Sequence, residues 1–199
     1  MKQKIILASN NKHKIEEFSQ ILTDYEILSL KDIGYYDDIV EDGETFLDNA
    51  LIKANAVREF LNGKIDALIV ADDSGLCVNA LNGEPGVYSA RYGGSHGNNA
   101  ANRAKLIKNL DGKKDRSAYF ICMLVLMSAD GSYEYFEGKT YGKILEKETG
   151  DTSFCYDCLF LSDDLKKSFG EASSSEKNSV SHRFRAIQKL KQALGFKNQ

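Results

Sequence analysis

One stretch of the sequence, from Ile69 to Gly94, places acidic side chains between an apolar run and a glycine-rich segment. The β-branched residues at its start are typical of a buried strand, which we predict over residues 65–71. Asp72 and Asp73 follow at the predicted carboxyl end, and five of the chain's sixteen glycines come after them in one predicted loop. Carboxylates at a strand end followed by glycine-rich backbone indicate a site for a metal and a phosphorylated ligand, or else a surface turn with solvated acids.

The composition excludes several classes of protein. A chain of 199 residues with 42% hydrophobic residues can bury a core, and we predict a single domain over residues 1–199. A net charge of −3 gives no basic face for nucleic acid, and no apolar run reaches the roughly 20 residues that span a bilayer. The N-terminus lacks the pattern of a signal peptide, and four irregularly spaced cysteines do not indicate a disulfide framework. We therefore expect a cytoplasmic protein that binds neither nucleic acid nor a membrane.

Hydrophobic periodicity along the chain predicts both strands and helices. Apolar runs predict strands over residues 4–8, 65–71, 116–128, 132–137, 140–146 and 158–161. Apolar residues at helical spacing predict helices over residues 12–23, 46–62, 98–110 and 182–194. Thr45 and Asp48 have the spacing of a capping box before the second helix, whereas segments 24–43 and 170–181 are interpreted as irregular and polar. The sum is an α/β protein with a mixed central sheet flanked by helices.

Polar residues cluster at four loops or element ends: Ser9–Lys14, Glu41 with Asp42, Asp72–Ser74, and Lys177–Arg183. The segments around them are ILASNNKHKIEE, EDGETFLDNALIKA, ADDSGL, GEPGVYSARYGG and SSEKNSVSHR. In this order, and over nearly the full length, the chain resembles the inosine triphosphate pyrophosphatase family. The resemblance implies a Mg²⁺-dependent enzyme that hydrolyses non-standard purine nucleoside triphosphates (ITP, dITP and XTP) to the monophosphate and pyrophosphate. It also implies a homodimer, and two lobes with an active-site cleft between them.

The resemblance assigns the metal to Glu41 and Asp73, and it makes Asp73 the catalytic residue that directs water. Neighbouring residues of an extended strand point to opposite faces, so Asp72 and Asp73 should not both reach one metal ion. Asp72 is therefore expected to be a structural acceptor for nearby backbone N–H groups. Without the resemblance, Glu41 is equally well explained as a surface acid in an acidic loop.

The resemblance also supplies the residues that contact the phosphates. A triphosphate carries several negative charges, so its site needs cations on the protein and a bridging metal. The phosphate loop implied here consists of Ser9, Asn10, Asn11, Lys12, His13 and Lys14. Its N–H groups at a helix N-terminus and the Lys14 ammonium would meet the phosphates, although a solvated helix lysine also fits Lys14. Ser74 would touch the substrate.

The resemblance implies that two residues of the fourth cluster read the base and that a third contacts the ligand. His182 and Arg183 would donate to the 6-oxo edge that hypoxanthine and xanthine offer and that adenine does not, while Lys177 contacts the ligand. Without the resemblance, the His-Arg pair is explained as a helix cap or an ion pair. The aromatic residue expected to stack on the base is Phe154.

The chain departs from the family pattern in one loop, where a GGFGYDP-like run is expected and Ser153-Phe154-Cys155-Tyr156-Asp157-Cys158 is found. The substrate contacts implied there are Phe154, Cys155, Tyr156 and Asp157. If the replaced glycine has a positive φ in the family, Cys155 would strain the loop. The Cys-x-x-Cys spacing also raises the alternative of a metal or redox pair. Two other functions remain open: a related pyrophosphatase with a different base preference, and a nucleotide-binding regulator without turnover.

Overall fold

The computed structural model describes residues 2–197, so Met1, Asn198 and Gln199 of the predicted domain lie outside the described residues. Its strands are β1 (Gln3–Leu7), β2 (Tyr25–Leu28), β3 (Leu68–Val78), β4 (Ser117–Met127), β5 (Tyr133–Ile144) and β6 (Phe160–Ser162). Its helices are α1 (Lys12–Ile21), α2 (Phe46–Leu61), α3 (Asn99–Asn109), α4 (Ser174–Val180) and α5 (His182–Lys197). Short 3₁₀ turns lie at Asn79–Leu81, Gly86–Arg91 and Asp157–Leu159. No helix among the described residues is both long and apolar enough to cross a membrane.

The six strands form one sheet in the order β2-β1-β3-β4-β5-β6. β1 pairs in parallel with β2 and with β3, where Leu7 lies opposite Val70. β5 pairs antiparallel with β6, with Ile144 opposite Phe160. The sheet is therefore mixed, as predicted, and the α/β fold class is confirmed.

The chain divides into two compact units, each with its own core. The first contains the chain up to Asp73, Cys122–Glu137 and the chain from Arg185; the second contains Ser74–Ile121 and Gly138–Phe184. The prediction of a single domain and the prediction of an active-site cleft both stay predictions.

The core of the first unit has two layers because side chains alternate along β1. Ile5 and Leu7 lie in one cluster with residues of α1 and α5, such as Phe18 and Leu190. Ile6 lies in another cluster, with the alanines and Val57 of α2. The amphipathic stripes of the three helices thus cover the strands of this unit, as their 3.6-residue spacing predicts.

The core of the second unit is largely aromatic. Phe120 of β4 contacts Phe160 of β6 at a ring-centroid distance of 4.7 Å and stacks on Phe169 at 6.1 Å. Leu106 and Leu110 of the α3 segment lie in the same buried cluster. These residues build the base on which the loop around Phe154 and the start of α5 are placed.

Four predicted boundaries are wrong, and tertiary contacts explain them. β3 does not end at residue 71 but continues to Val78, so Asp72 and Asp73 lie inside the strand. The two strands predicted at 132–137 and 140–146 are one continuous β5. The predicted irregular segment 24–43 contains β2, and the polar segment 170–181 contains α4. α4 has no apolar stripe, and its start is fixed instead by a capping box between Ser173 and Glu176.

Candidate active site

Asp72 and Asp73 of β3 have different partners. Asp72 is 1% exposed, and its Oδ1 accepts a hydrogen bond from Lys14 Nζ at 2.9 Å. Asp73 is half-buried, and its Oδ2 accepts from Asn49 Nδ2 at 3.0 Å. The partners agree with the strand alternation that separates the two side chains. Asp72 therefore holds the Lys14 side chain. The sequence analysis predicted only backbone N–H groups as its partners.

Glu41 and Asp73 meet at the ammonium group of Lys53. Lys53 Nζ lies 2.8 Å from Glu41 Oε2 and 4.0 Å from Asp73 Oδ1. The lysine is only 8% exposed. Burial lowers the pKa of Lys53, but the negative charges of Asp72, Asp73 and Glu41 outweigh burial and raise the pKa above its usual 10.5. The structure thus brings both predicted metal ligands to one cation.

The sequence analysis did not identify Lys53. The signal that could have found it is its position on α2, because Lys53 lies three residues after Ala50 and four before Val57, inside the apolar stripe. A lysine is rarely buried unless it is paired. A lysine in a core stripe therefore predicts acidic partners, and the nearest acidic cluster of the sequence contains Glu41.

The donor set of Glu41 and Asp73 suits a hard divalent cation. Both offer carboxylate oxygens, which Mg²⁺ prefers, and Mg²⁺ needs only one or two carboxylates because it keeps several waters. Within residues 2–197, no group of three or more His, Cys, Asp or Glu side chains forms a candidate metal cluster. The two carboxylates that converge on the Lys53 ammonium therefore fit a magnesium ion bound partly through water and substrate.

The predicted phosphate loop begins α1, and Asn11 is its N-cap. Asn11 Oδ1 accepts from the backbone N–H groups of His13 at 3.0 Å and Lys14 at 3.4 Å. Ser9 Oγ accepts from the Asn11 N–H at 3.1 Å, and Asn10 Oδ1 accepts from the Lys31 N–H at 3.0 Å. A phosphate that used the His13 and Lys14 N–H groups would replace the Asn11 side chain. Asn10, Asn11, Lys12 and His13 are exposed, whereas Ser9 and Lys14 are half-buried.

The second unit brings together Phe154, Asp157 and Lys177. The Lys177 ammonium forms a very short ion pair with Asp157 Oδ2 and lies 4.6 Å from the centre of the Phe154 ring. Asp157 is 8% exposed. Burial raises the pKa of Asp157 above its usual 3.8, and the charges of Lys177 and Arg183 reduce that rise. Phe154 is 45% exposed, so one side of an aromatic ring with a cation beside it is open to solvent.

His182 and Arg183 occupy the first turn of α5. Ser181 Oγ caps this turn by accepting from the Phe184 N–H at 3.1 Å. The His182 imidazole stacks on the Phe120 ring, with a centroid distance of 5.1 Å and an interplanar angle of 16°. His182 is buried, at 9% exposure, and the stacking fixes the orientation of its ring. Ser74, also predicted to touch the substrate, is half-buried on β3 beside Asp73.

The altered loop, residues 153–158, is the loop that departs from the family pattern, and Arg103 of α3 holds it in place. Arg103 Nε donates to Glu148 Oε1 at 2.7 Å, and its Nη1 donates to the carbonyls of Thr152 at 3.3 Å and Cys155 at 3.1 Å. Cys155 is not among the non-glycine residues with positive φ in residues 2–197, so the strain that a replaced glycine could cause is absent. Arg103 was missed, although it shares the buried face of α3 with Leu106.

Tyr156, Cys155 and Cys158 are held by burial and by contacts within the protein. Tyr156 is 3% exposed, and its hydroxyl donates to the Ser89 carbonyl at 2.9 Å. Burial raises the pKa of Tyr156 and of Cys155. Cys155 Sγ accepts from Asn102 Nδ2 at 3.7 Å, and Cys158 is fully buried; both are free thiols. The backbone and ring positions next to Phe154 are thus fixed by burial and hydrogen bonds.

Fold and site define an α/β protein with an acidic cluster on one unit and an aromatic, cationic cluster on the other. A family model described as the Ham1 family matches residues 5–193. The dITP/XTP pyrophosphatase of Clostridium perfringens is 49% identical over 198 residues, covering 96% of this chain and 97% of that protein. The dITP/XTP pyrophosphatase of Bacillus licheniformis is 44% identical, covering 96% of this chain and 98% of that protein.

Solved structures agree with these sequence matches. The Staphylococcus aureus Ham1 protein superposes with a TM-score of 0.89 at 36% identity, covering 98% of this chain and all of that one. A nucleoside-triphosphatase, dITP/XTP pyrophosphatase, of Mycobacterium abscessus gives a TM-score of 0.77 at 40% identity, covering 94% of this chain and 98% of that one. The chain belongs to the Ham1 family, and the predicted family membership is confirmed.

Proposed function

We propose that this protein hydrolyses ITP, dITP and XTP to the monophosphate and pyrophosphate. The names of its relatives support this proposal, since proteins called dITP/XTP pyrophosphatase match it over nearly their full length. The observation that carries it is the pair of carboxylates, Glu41 and Asp73, that meets at the Lys53 ammonium. The water oxygen bonds to one phosphorus of the α–β phosphoanhydride, and the bond from that phosphorus to the bridging oxygen breaks. The bridging oxygen leaves on the other product, so that monophosphate and pyrophosphate separate.

Asp73 is proposed as the residue that orients the attacking water and accepts its proton. Its Oδ2 is bound by the Asn49 amide, and Oδ1 faces the Lys53 ammonium, so the carboxylate is held on both sides. A carboxylate oxygen in this position can accept a hydrogen bond from water and then its proton. The Lys14 ammonium is proposed to contact phosphate oxygens, with Ser9–Lys14 forming the rest of the phosphate contact.

Glu41 and Asp73 are proposed to hold Mg²⁺. When bound, the ion supplies positive charge to phosphate oxygens and orients them for displacement. The Lys53 ammonium lies beside Glu41 and Asp73, and the Lys14 ammonium lies beside Asp72. Both positive charges lower the repulsion between the carboxylates and an incoming triphosphate.

The nucleobase is proposed to bind in the second unit, beside Phe154 and Lys177. Phe154 offers an exposed ring for stacking, and the Lys177 ammonium beside it can contact the ligand. His182 and Arg183 are proposed to donate to the 6-oxo group, while Ser74, Cys155, Tyr156 and Asp157 complete the substrate contacts that the resemblance implies. A homodimer is likewise proposed from the resemblance. A cytoplasmic location without nucleic-acid or membrane partners is proposed from the composition and the sequence pattern.

The test is pyrophosphate release from a panel of ITP, XTP, dUTP, GTP and ATP, with and without Mg²⁺. Release from ITP and XTP is expected to exceed release from the other three. Asp73→Asn is expected to abolish turnover and keep the fold, whereas Asp24→Asn, at an exposed turn, serves as the matched control. If Asp73→Asn retained more than a few per cent of wild-type pyrophosphate release, Asp73 would not be the catalytic base. Binding of ITP without any release would instead favour a regulator.

A further inference from the structure

Asn49 connects the two segments that carry the proposed metal ligands. It lies at the start of α2 and is 1% exposed. Its Nδ2 donates to Asp73 Oδ2 at 3.0 Å, and its Oδ1 accepts from the Gly43 N–H at 2.8 Å. Gly43 lies two residues after Glu41. One buried amide thus joins the Glu41 segment to the Asp73 carboxylate.

The contact with Gly43 is close enough to require a glycine there. A Cβ at Gly43 would lie 2.8 Å from Asn49 Oδ1 and 2.6 Å from Asp48 Cβ, which real Cβ atoms do not reach. The bond from the Gly43 N–H to Asn49 Oδ1 sets the direction of the amide, so that its Nδ2 points at Asp73. The amide is therefore preorganised before any ligand binds.

We propose that Asn49 is a positioning residue for turnover, acting through Asp73. This inference rests on the proposed function, in which Asp73 orients water. A carboxylate can rotate about its last bond, and a hydrogen bond to one oxygen stops that rotation. With Oδ2 held by Asn49, Oδ1 keeps its direction toward Lys53, 4.0 Å away, and a displacement of about 1 Å at a reacting group costs roughly a hundredfold in rate.

Two variants separate the bond to Asp73 from the bond to Gly43. Asn49→Asp keeps an oxygen that accepts from the Gly43 N–H, but it places an oxygen where Nδ2 donated to Asp73. Asn49→Leu has a similar volume and removes both bonds. Thr45→Ala is the control, because it removes the Thr45 Oγ1 bond to the Asp48 N–H and weakens the same helix start without touching Asp73.

Asn49 touches none of the proposed substrate contacts except Asp73, so its loss should lower kcat far more than it weakens ITP binding. For both Asn49 variants we expect kcat for ITP to fall by roughly ten- to a hundredfold. The Kd for ITP, measured by calorimetry with Ca²⁺ replacing Mg²⁺, should stay within about threefold of wild type. Thr45→Ala should lower the melting temperature and keep kcat.

A double variant, Asn49→Asp with Asp73→Asn, reverses donor and acceptor. It rebuilds the hydrogen bond, so its melting temperature should rise above that of Asn49→Asp alone, although turnover stays lost. This recovery measures the pair independently of activity.

The outcomes distinguish the inference from the function on which it rests. If wild type releases no pyrophosphate from ITP, the proposed function fails. If wild type is active and the Asn49 variants keep kcat within about threefold, or lose kcat and affinity together, the positioning role is overturned. Failure of both Asn49 variants to fold while Thr45→Ala folds would also overturn it, because Asn49 would then serve the fold alone.

Discussion

The Lys14 ammonium lies 2.9 Å from Asp72 Oδ1, and the two side chains differ sharply in exposure, at 21% and 1%. The lysine belongs to the first turn of α1, and the aspartate lies inside β3. A buried carboxylate is costly unless it is paired, so Asp72 depends on this ammonium. The pair fixes the proposed phosphate loop against the strand that carries Asp73.

The Lys14–Asp72 pair predicts strong coupling between its two members. Asp72→Asn and Lys14→Met should each destabilise the protein, and Lys14→Met the more, because it leaves the buried Asp72 charge without this partner. In the double variant the losses should not add, and the coupling energy should be about 0.5–3 kcal/mol. Urea unfolding of the four proteins measures this cycle. Additive losses would show that the ion pair contributes nothing to stability.

The His182–Arg183 pair predicts selection against adenine. A donor that faces the adenine amino group stays unpaired, at a cost of about 1–3 kcal/mol for each contact. Two contacts therefore predict kcat/KM at least about thirtyfold higher for ITP than for ATP. Arg183→Met should lower this ratio by about fivefold or more, whereas Arg185→Met, two residues along α5, should preserve it. Equal efficiency of the wild type on both nucleotides would remove the 6-oxo readout.

Residue spacing predicts the long helices because one face of each helix is turned toward solvent and the other toward the core. The apolar stripes of α1, α2, α3 and α5 therefore appear directly in the sequence. The end of β3 could not be predicted in this way, since aspartate, serine and glycine are rare in strands. Asp72 and Asp73 remain in β3 because partners distant in sequence satisfy them: Lys14 and Lys53 compensate their charge, and Asn49 donates a hydrogen bond to Asp73.

The candidate site shows the same division between local and distant causes. The Asn11 cap and the Thr45–Asp48 capping box follow from short spacings and are predicted from the residues. The resemblance supplies Glu41, Asp73 and the others, but it does not indicate which side chains touch. Two other contacts form only in the folded second unit. Lys177 binds Asp157, twenty residues away, and Arg103 donates a hydrogen bond to the backbone beside the altered loop.

The capping box of α4 predicts a loss of stability in acid. The hydrogen bond from Lys167, and then those from Ser173, lower the pKa of Glu176 from 4.5 to about 2. A carboxyl with a lowered folded-state pKa stabilises the protein above pH 4.5, and this contribution disappears as the pH falls toward about 2. The melting temperature of wild type should therefore approach that of Glu176→Gln over this range.

The control for this experiment is Ser173→Ala, which removes the cap hydroxyl without changing charge. Its difference from wild type should keep the same sign throughout the range, because a serine does not titrate. A constant difference between wild type and Glu176→Gln from pH 7 down to about 2 would contradict the lowered pKa.

Phe154 predicts a binding defect without a stability defect. Its ring is 45% exposed, so its removal creates no large cavity, and its contact with the Lys177 ammonium is worth about 0.5–1 kcal/mol at an exposed site. Phe154→Ala should therefore lower the melting temperature by no more than about 4 °C. Stacking on a base is worth about 1–3 kcal/mol and tolerates any base, so KM for ITP and for XTP should rise together, by roughly five- to a hundredfold.

A second exposed aromatic residue provides the matched control for Phe154. Tyr88 is 57% exposed in the same unit, and the Arg91 guanidinium lies 5.2 Å from its ring centre. Tyr88→Ala removes a similar cation–π contact at a residue that is not among the proposed substrate contacts, so it should reproduce the small change in melting temperature and leave KM unchanged. Stacking stabilises ground state and transition state alike, so kcat of Phe154→Ala should stay near wild type. A large loss of stability with KM unchanged would instead make Phe154 a packing residue.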